Sequence, residues 1–454
     1  MLILKKLREN SFARQVSVLA SGTAVAHLLA IGTLPLITRL YTPDEFGVLG
    51  VFVALMSIVT VVANWRYEIA VPLPDSDERA ANLAAVALVC GFFTTCITLI
   101  AVCFFGSWLG TIKKFSGITD FLFLLPLGIF FAAIYAVFQY WATRRKEFSR
   151  IARTRVEQAV GGVGSQLIAG YLGVGALGLI IGQIINSAAG VIGLVRRAYV
   201  KDRSLLDSVN LAEMKSVARE YERFPKFSVL ESLSNISAVQ IPLILIGLVS
   251  ESAEVGYLML GMRLMQAPVG LIGSSISQVF FVRAVEAHKC GDLHILLTST
   301  LTTLLKSGVG PLVFAGIVSP FLCGVVFGDD WKRAGELIAW MTPWFVFQFL
   351  SQPVSMVLHV TSNQRTALIL QAFGLLLRVG SVLIFPFLIK EGGGSEAYAL
   401  SGAIFYLVYL LVIVRAGGVH FLDLGAGFFR SGRLVLAWCA VAGLFLGIFS
   451  FLSS

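Results

Sequence analysis

The stretch from Ser17 to Pro74 limits what this chain can fold into more than any other. It reads SVLASGTAVAHLLAIGTLPLITRLYTPDEFGVLGVFVALMSIVTVVANWRYEIAVPLP. Two apolar runs flank a short polar hinge, Thr38 to Gly47, and the second run closes in Arg66-Tyr67-Glu68. A helix of this length on a water-soluble protein carries a polar stripe with a period of 3.6 residues. Neither run carries one. About 20 residues cross the roughly 30 Å hydrocarbon core of a bilayer, so each run is long enough to span it. The unit reads as an out-and-back membrane hairpin with its polar residues gathered at the ends.

The whole chain resembles that hairpin. Only 13% of its 454 residues are charged and 57% are hydrophobic, about half the roughly 25% charge of soluble domains. The expected class is therefore an all-α polytopic membrane protein. Apolar runs fall at 16–40, 46–72, 82–108, 119–142, 156–173 and 175–195. A hydrophilic segment follows, and then runs at 228–250, 255–282, 294–328, 334–360, 366–389, 396–414 and 434–452. This pattern predicts a six-helix bundle over 1–197, a cytoplasmic linker over 198–226, a second six-helix bundle over 227–416, and an amphipathic segment with an extra apolar helix over 417–454. The last run reads either as a thirteenth crossing or as a peripheral helix. Leu206, Val209, Met214 and Val217 in the linker are spaced like a short amphipathic helix lying on the membrane surface.

The positive-inside rule tests that layout. With a cytoplasmic N-terminus, 25 of the 35 Lys and Arg fall in inside segments: the N-terminal cluster Lys5, Lys6, Arg8 and Arg14, then Arg79, the group from Arg144 to Arg155, the linker and the later alternate loops. Six fall outside (Arg39, Lys113, Lys114, Lys332, Arg333 and Lys390), and four lie within apolar runs. The asymmetry accounts for the net charge of +9, and it removes the reason to invoke nucleic acid as a partner. The first run is too long for the core of a cleaved signal peptide and reads as an uncleaved first helix. The six Cys form no CxxC and no Cys/His spacing, so neither a disulfide framework nor a zinc site is expected.

A short repeat supports two related halves. Ser17-Val18-Leu19 recurs as Ser228-Val229-Leu230, and Glu45-Phe46-Gly47 recurs 209 residues later as Glu254-Val255-Gly256. An even number of helices separates the copies, so they share an orientation, as parallel repeats do.

The sequence has no G-x-x-x-x-G-K-[ST] phosphate loop, no H-E-x-x-H and no G-x-S-x-G. No cofactor is expected, and no enzyme. Gly161-Gly162-Val163-Gly164 follows no strand and reads as helix packing. The informative residues are the ions inside apolar runs. A helix-centre Arg or Lys costs at least about 2.5–3.5 kcal/mol to insert and usually faces a hydrated cavity or a partner. Arg263, Lys306 and Arg378 lie deep, and Arg66 lies near the inner end of its run. Glu68 and Glu231 lie near helix ends and are candidates for ion coupling. On one continuous helix Arg66 and Glu68, two residues apart, would not face each other. Deep cations without matching deep anions predict a cationic lumen whose counter-charge arrives with an anionic substrate. The in-span Gln and Asn residues, Gln139 among them, suit a hydrated, sugar-accommodating lumen. The hinge, placed outside by the charge count, makes Arg39, Pro43, Glu45 and Gly47 candidates for an outer gate.

ASGTAVAHLLAIGTLPLITRLYTPDEFGVLGVFVALMSI followed by NWRYEIAVPLPDSDERAANL closely resembles the N-terminus of bacterial Wzx-type oligosaccharide flippases. These are polysaccharide-export proteins of the multidrug/oligosaccharidyl-lipid/polysaccharide (MOP) superfamily. The resemblance rests on Pro35, Thr38-Arg39-Leu40-Tyr41, Pro43, Glu45-Phe46-Gly47 and Arg66-Tyr67-Glu68; beyond the first two helices only the layout matches. It implies a V-shaped fold of two bundles, as in the multidrug MATE transporters, working by alternating access in the bacterial inner membrane. It further implies an undecaprenyl-pyrophosphate-linked oligosaccharide as substrate, with membrane lipids, a polysaccharide polymerase and assembly proteins as partners. A multidrug antiporter of the same superfamily and a flippase for lipid-linked peptidoglycan precursors are the alternatives. Such families have twelve or fourteen helices, so a count of thirteen departs from the pattern at the C-terminal end.

Overall fold

In a computed structural model, residues 18–19, 21–111, 116–361, 363–388, 393–419 and 432–447 are described. The basic residues Lys5, Lys6, Arg8, Arg14, Lys113, Lys114, Lys390 and Arg430, and the end of the 434–452 run, lie outside them. All regular structure among the described residues is helical. Six long helices come first: α1 (Ser21–Leu40), α2 (Pro43–Thr60), α3 (Asp77–Thr111), α4 (Leu125–Arg144), α5 (Phe148–Tyr171) and α6 (Ala176–Lys201). The amphipathic α7 (Leu211–Glu220) follows. Then come α8 (Val229–Val249), α9 (Ser252–Cys290), α10 (Leu293–Phe327), α11 (Lys332–Ser351), α12 (Gln364–Leu388) and α13 (Gly394–Ala416). A shorter apolar helix, α14 (Gly432–Gly447), closes the described chain. Nine helices among the described residues are long and apolar enough to cross a membrane by length and composition. Of the twelve expected crossings, α5, α9 and α11 fall outside those nine, and charged residues stand in their terminal turns.

The chain divides into two compact units, Met1–Tyr41 with Val48–Ile244, and Thr42–Gly47 with Leu245–Ser454. In the first, α4 packs against α3, α5 and α6, and α1 packs on α5. In the second, α11 packs against α9, α10 and α13, and α12 packs on α13. Small residues let α11 approach its neighbours closely, as membrane packing favours. A Cβ added at Gly308 or Gly316 of α10, Gly261 of α9 or Gly402 of α13 would meet Phe349, Thr342, Met341 or Trp344 within 2.6 Å. The described part of α14 packs on α10: Trp438 stacks edge-on against Phe314 at 5.6 Å and covers Gly310.

The linker helix departs from its expected position on the membrane surface. The side chain of Val217 is fully buried against Tyr67, Val71 and Ala80 of the first unit, so the apolar face of α7 is covered by protein. Polar contacts fasten it there. Arg79 of α3 pairs with Glu213 at 3.0 Å and with Glu220. Asn82 accepts from the Asn210 backbone N–H at 3.0 Å, and Asn210 caps α7 by accepting from Glu213 N–H. Arg79→Ala should therefore release α7, and limited proteolysis within residues 203–222 should become several-fold faster; unchanged cleavage would show that Arg79 does not hold it. Next to it, Asp202 accepts from Trp141 Nε1 and from Arg145, which also pairs with Asp77. Glu147, between α4 and α5, accepts from Arg197 at 2.8 Å and Lys201 at 3.2 Å. Burial pushes its carboxyl up, but the two cations outweigh that and hold it below the ordinary carboxylate range.

Candidate functional site

The second apolar run is not one helix. α2 stops at Thr60, tight turns occupy 61–66, and one helical turn, Tyr67–Ala70, resumes. Trp65 (φ 53°) and Arg66 (φ 64°) both adopt the left-handed conformation, which non-glycine residues rarely take. Side chains support the break. Asn64 Nδ2 donates to the Ala133 carbonyl at 2.9 Å, and Thr94 donates to the Ala63 carbonyl at 2.9 Å. Tyr67 donates to the Ala218 carbonyl of α7 at 3.1 Å.

The break overturns the expectation that Arg66 and Glu68 cannot pair. The left-handed turn at Arg66 brings its Nη1 to 3.7 Å from Glu68 Oε1. That is an ion pair longer than a hydrogen bond. Glu68 is the one buried carboxylate among the described residues, with 5% of its surface exposed. Glu231 differs: it is exposed in the first turn of α8, where an acid complements the helix dipole.

The other three intramembrane cations lie in the second unit. Arg263 is eleven residues into α9, about 16 Å along its axis at 1.5 Å per residue, and half-buried. Lys306 is exposed on a π-helical turn, Leu305–Val309, about 20 Å from the start of α10. Such single-turn insertions are frequent at functional sites. Neither has an ion-pair or hydrogen-bond partner among the described residues. Arg378 of α12 is enclosed instead. Its guanidinium lies over Phe405 at 4.7 Å, Trp344 at 5.4 Å and Tyr406 at 5.6 Å, and 3% of the residue is exposed. The expected position for Arg378, lining an open lumen, is corrected to an aromatic cage formed by α11 and α13. Described carboxylates of α9 to α13 stand near their helix ends; Arg333 gathers Glu254, Glu336 and Glu396 there.

The hinge residues have packing roles. Tyr41 donates to the Gln166 carbonyl of α5 at 2.7 Å. Thr42 and Glu45 form a reciprocal capping box: Thr42 N–H donates to Glu45 Oε2 at 2.8 Å, and Glu45 N–H donates to Thr42 Oγ1 at 3.3 Å. Pro43 occupies the first position of α2, which suits a residue without an N–H. Arg39 is exposed at the end of α1. Gly47 lies against Ser252, and Gly256 lies against Pro43. Ser252 follows Pro43 by 209 residues, the repeat offset, so the contact is reciprocal between repeat-related positions.

Sequence reading missed Arg155. The apolar run starts at 156 and leaves Arg155 in a loop, whereas α5 starts at Phe148. Arg155 is half-buried in the second turn of α5, donates to Gln139 Oε1 at 3.1 Å and lies over Tyr135 at 5.7 Å. The Arg153–Glu157 pair at i, i+4 was a legible sign that the helix begins earlier.

Comparison with known proteins places this arrangement. A family model described as polysaccharide biosynthesis protein matches residues 36–336. A sequence search of curated proteins gives no significant match. Among solved structures, the lipid II flippase MurJ in an inward closed conformation is similar with a TM-score of 0.73 at 13% identity, covering 95% of this chain and 98% of that one. An inward-facing multidrug resistance MATE family transporter of the MOP superfamily follows at 0.64 and 16% identity, covering 90% and 95%. A MOP superfamily transporter from Pyrococcus furiosus, described with a binding pocket of reversed polarity, gives 0.56 and 15%, covering 92% and 96%. At such identities these likenesses establish the fold. A family match across about two thirds of its length places this chain in the polysaccharide biosynthesis protein family, and its long apolar helices are those of a multi-pass membrane protein.

Proposed function

We propose that the protein moves a lipid-(pyro)phosphate-linked oligosaccharide from the cytoplasmic to the outer leaflet of the bacterial inner membrane by alternating access, for surface polysaccharide assembly. The observation that carries this reading is the sign and pairing of the deep charges. Arg263 and Lys306 stand far inside their helices with no acidic partner among the described residues, so an anion supplied by the substrate would complete them. The lipid tail stays in the bilayer while the phosphate and sugars pass the cations. The N-terminus is cytoplasmic on the charge asymmetry, which puts Arg66 at the inner mouth and Arg39, Pro43, Glu45 and Gly47 at the outer one. A polysaccharide polymerase and assembly proteins would receive the product.

A multidrug antiporter of the same fold would hold cationic drugs on a deep carboxylate. The buried candidate, Glu68, already has Arg66 beside it. The test is complementation of a strain lacking the gene. Arg263→Gln and Lys306→Gln should each lower surface polysaccharide by about tenfold or more, the loss expected for one charge-assisted contact, with the amount of protein in the membrane unchanged. Normal polymer from both variants would sink the reading.

A further inference from the structure

The helix break between α2 and α3 holds more buried polar chemistry than its fold requires. Thr60 Oγ1, Asn64 Oδ1, Arg66 Nε and Glu68 Oε2 are all buried with no hydrogen-bond partner among the described residues. Asn64 and Glu68 are more than nine-tenths buried, at 3% and 5% exposure. Native proteins leave few such atoms, and those they leave call for a reason. The backbone is also held in a rarely populated state at two adjacent residues, Trp65 and Arg66. Strain of that kind clusters at ligand clamps and switches.

The charges at the break are arranged asymmetrically. The carboxylate of Glu68 is sealed off, whereas the Arg66 side chain keeps 23% of its surface exposed. Their 3.7 Å separation leaves the pair without a hydrogen bond and Oε2 without a donor. The other titratable groups that sense Glu68 are Cys90 of α3 and Tyr140 of α4; neither is a cation. Beyond its own backbone N–H, the ionised carboxylate therefore has one cation beside it among the described residues, the Arg66 guanidinium, and that guanidinium has a face open to a second anion.

We propose that Arg66 binds a phosphate or pyrophosphate group and that Glu68 is its built-in competitor. When ionised, Glu68 occupies Arg66. When an anion takes Arg66, Glu68 accepts a proton from water and becomes a neutral buried acid. Anion release returns the proton. Each binding event thus takes up one proton, and the Arg66–Glu68 ion pair is exchanged for an Arg66–phosphate pair. This rests on the reading of the transported headgroup as anionic, and it adds the inner-mouth subsite and its dependence on pH. The ligand could be a lipid-linked pyrophosphate or free phosphate.

Pyrophosphate binding to the full-length protein in nanodiscs tests it. One arm uses inorganic pyrophosphate and the other a polyprenyl pyrophosphate in the bilayer. Glu68→Gln removes the competitor while keeping the shape. Its affinity should match wild type in mild acid and exceed it by about tenfold or more in mild alkali, the effect of one opposing charge on a neighbour. Taking the ratio of the two proteins cancels the titration of pyrophosphate itself. Arg66→Gln should weaken binding at every pH. Wild-type calorimetry in two buffers of different ionisation enthalpy should show about one proton taken up, which needs no variant to fold. Binding confined to the lipid arm assigns the site to the lipid headgroup, and binding of both assigns it to phosphate in general. An affinity ratio that does not change with pH, unchanged binding by Arg66→Gln, no proton uptake, or no binding in either arm would overturn the proposal. Loss of polymer in the Arg263 and Lys306 variants with this binding intact, or the reverse, separates it from the transport reading.

Discussion

Gly47→Ala and Gly256→Ala should each destabilise the protein by about 3 kcal/mol, the upper part of the overpacking range. A Cβ at Gly47 would stand 1.9 Å from the Ser252 carbonyl oxygen, and one at Gly256 would stand 2.1 Å from the Pro43 carbonyl oxygen. In both cases the obstacle is backbone, which no rotamer change can move aside. Two helix N-termini cross here in contact, and Ser252 Oγ donates to the Asp44 carbonyl at 3.2 Å. Phe46, fully buried in the same turn, packs edge-on against Trp331 at 4.8 Å and holds the crossing closed. Thermal unfolding in detergent measures the effect. Because both methyls strain one crossing, a single separation relieves both, and the double variant should lose less than the sum of the singles. Gly164→Ala, with nothing within 4 Å of the added carbon, is the control and should stay within about 0.5 kcal/mol. Wild-type stability in either crossing variant would show that the helices can part without loss.

Arg378 should separate stability from transport. Truncation to Ala removes the guanidinium from among Trp344, Phe405 and Tyr406 and leaves a void, at about 2–5 kcal/mol by analogy with other large-to-small core changes. The cage cannot collapse easily. Trp344 is backed by Gly402 and Tyr398, and Phe405 is backed by Gly374. Arg378→Lys keeps the charge but loses the flat face that stacks on rings, so it should fall between Ala and wild type. Arg378→Met refills the volume without charge and should be close to wild type in stability, as apolar replacements of buried ions often are. If Arg378 serves transport through its charge, the Met variant folds and makes no surface polymer. A Met variant as unstable as Ala would mean that the cation–ring contacts hold α12 to α13.

Much of the helical layout was legible because the bilayer demands long apolar runs, and run length can be read residue by residue. The hinge was legible for a related reason. Thr42, Pro43 and Glu45 are a local capping signal, and the structure uses them as one. The limits of the reading lie where tertiary contacts act on the backbone. The run through Asn64 and Glu68 is apolar enough for one helix, yet Asn64 bonds to Ala133 and Thr94 bonds to Ala63, sequence separations of 69 and 31 residues. These partners support the turn that brings Arg66 to Glu68. The cage around Arg378 was equally hidden, because Trp344, Phe405 and Tyr406 come from two other helices.

The amino-acid sequence by itself thus determined the membrane class, the layout of the long helices, the polar hinge and a short repeat at offsets of 211 and 209 residues, because each depends on local composition or self-similarity. The tertiary structure alone decided which cations are sealed and which are open. It also placed α7 against Tyr67 and Val71, with Val217 in a shared core, and it broke the second run at Trp65 and Arg66. The physical reason is that a charge in a low-dielectric interior is governed by whatever comes within a few ångströms of it. In this chain those neighbours arrive from other helices.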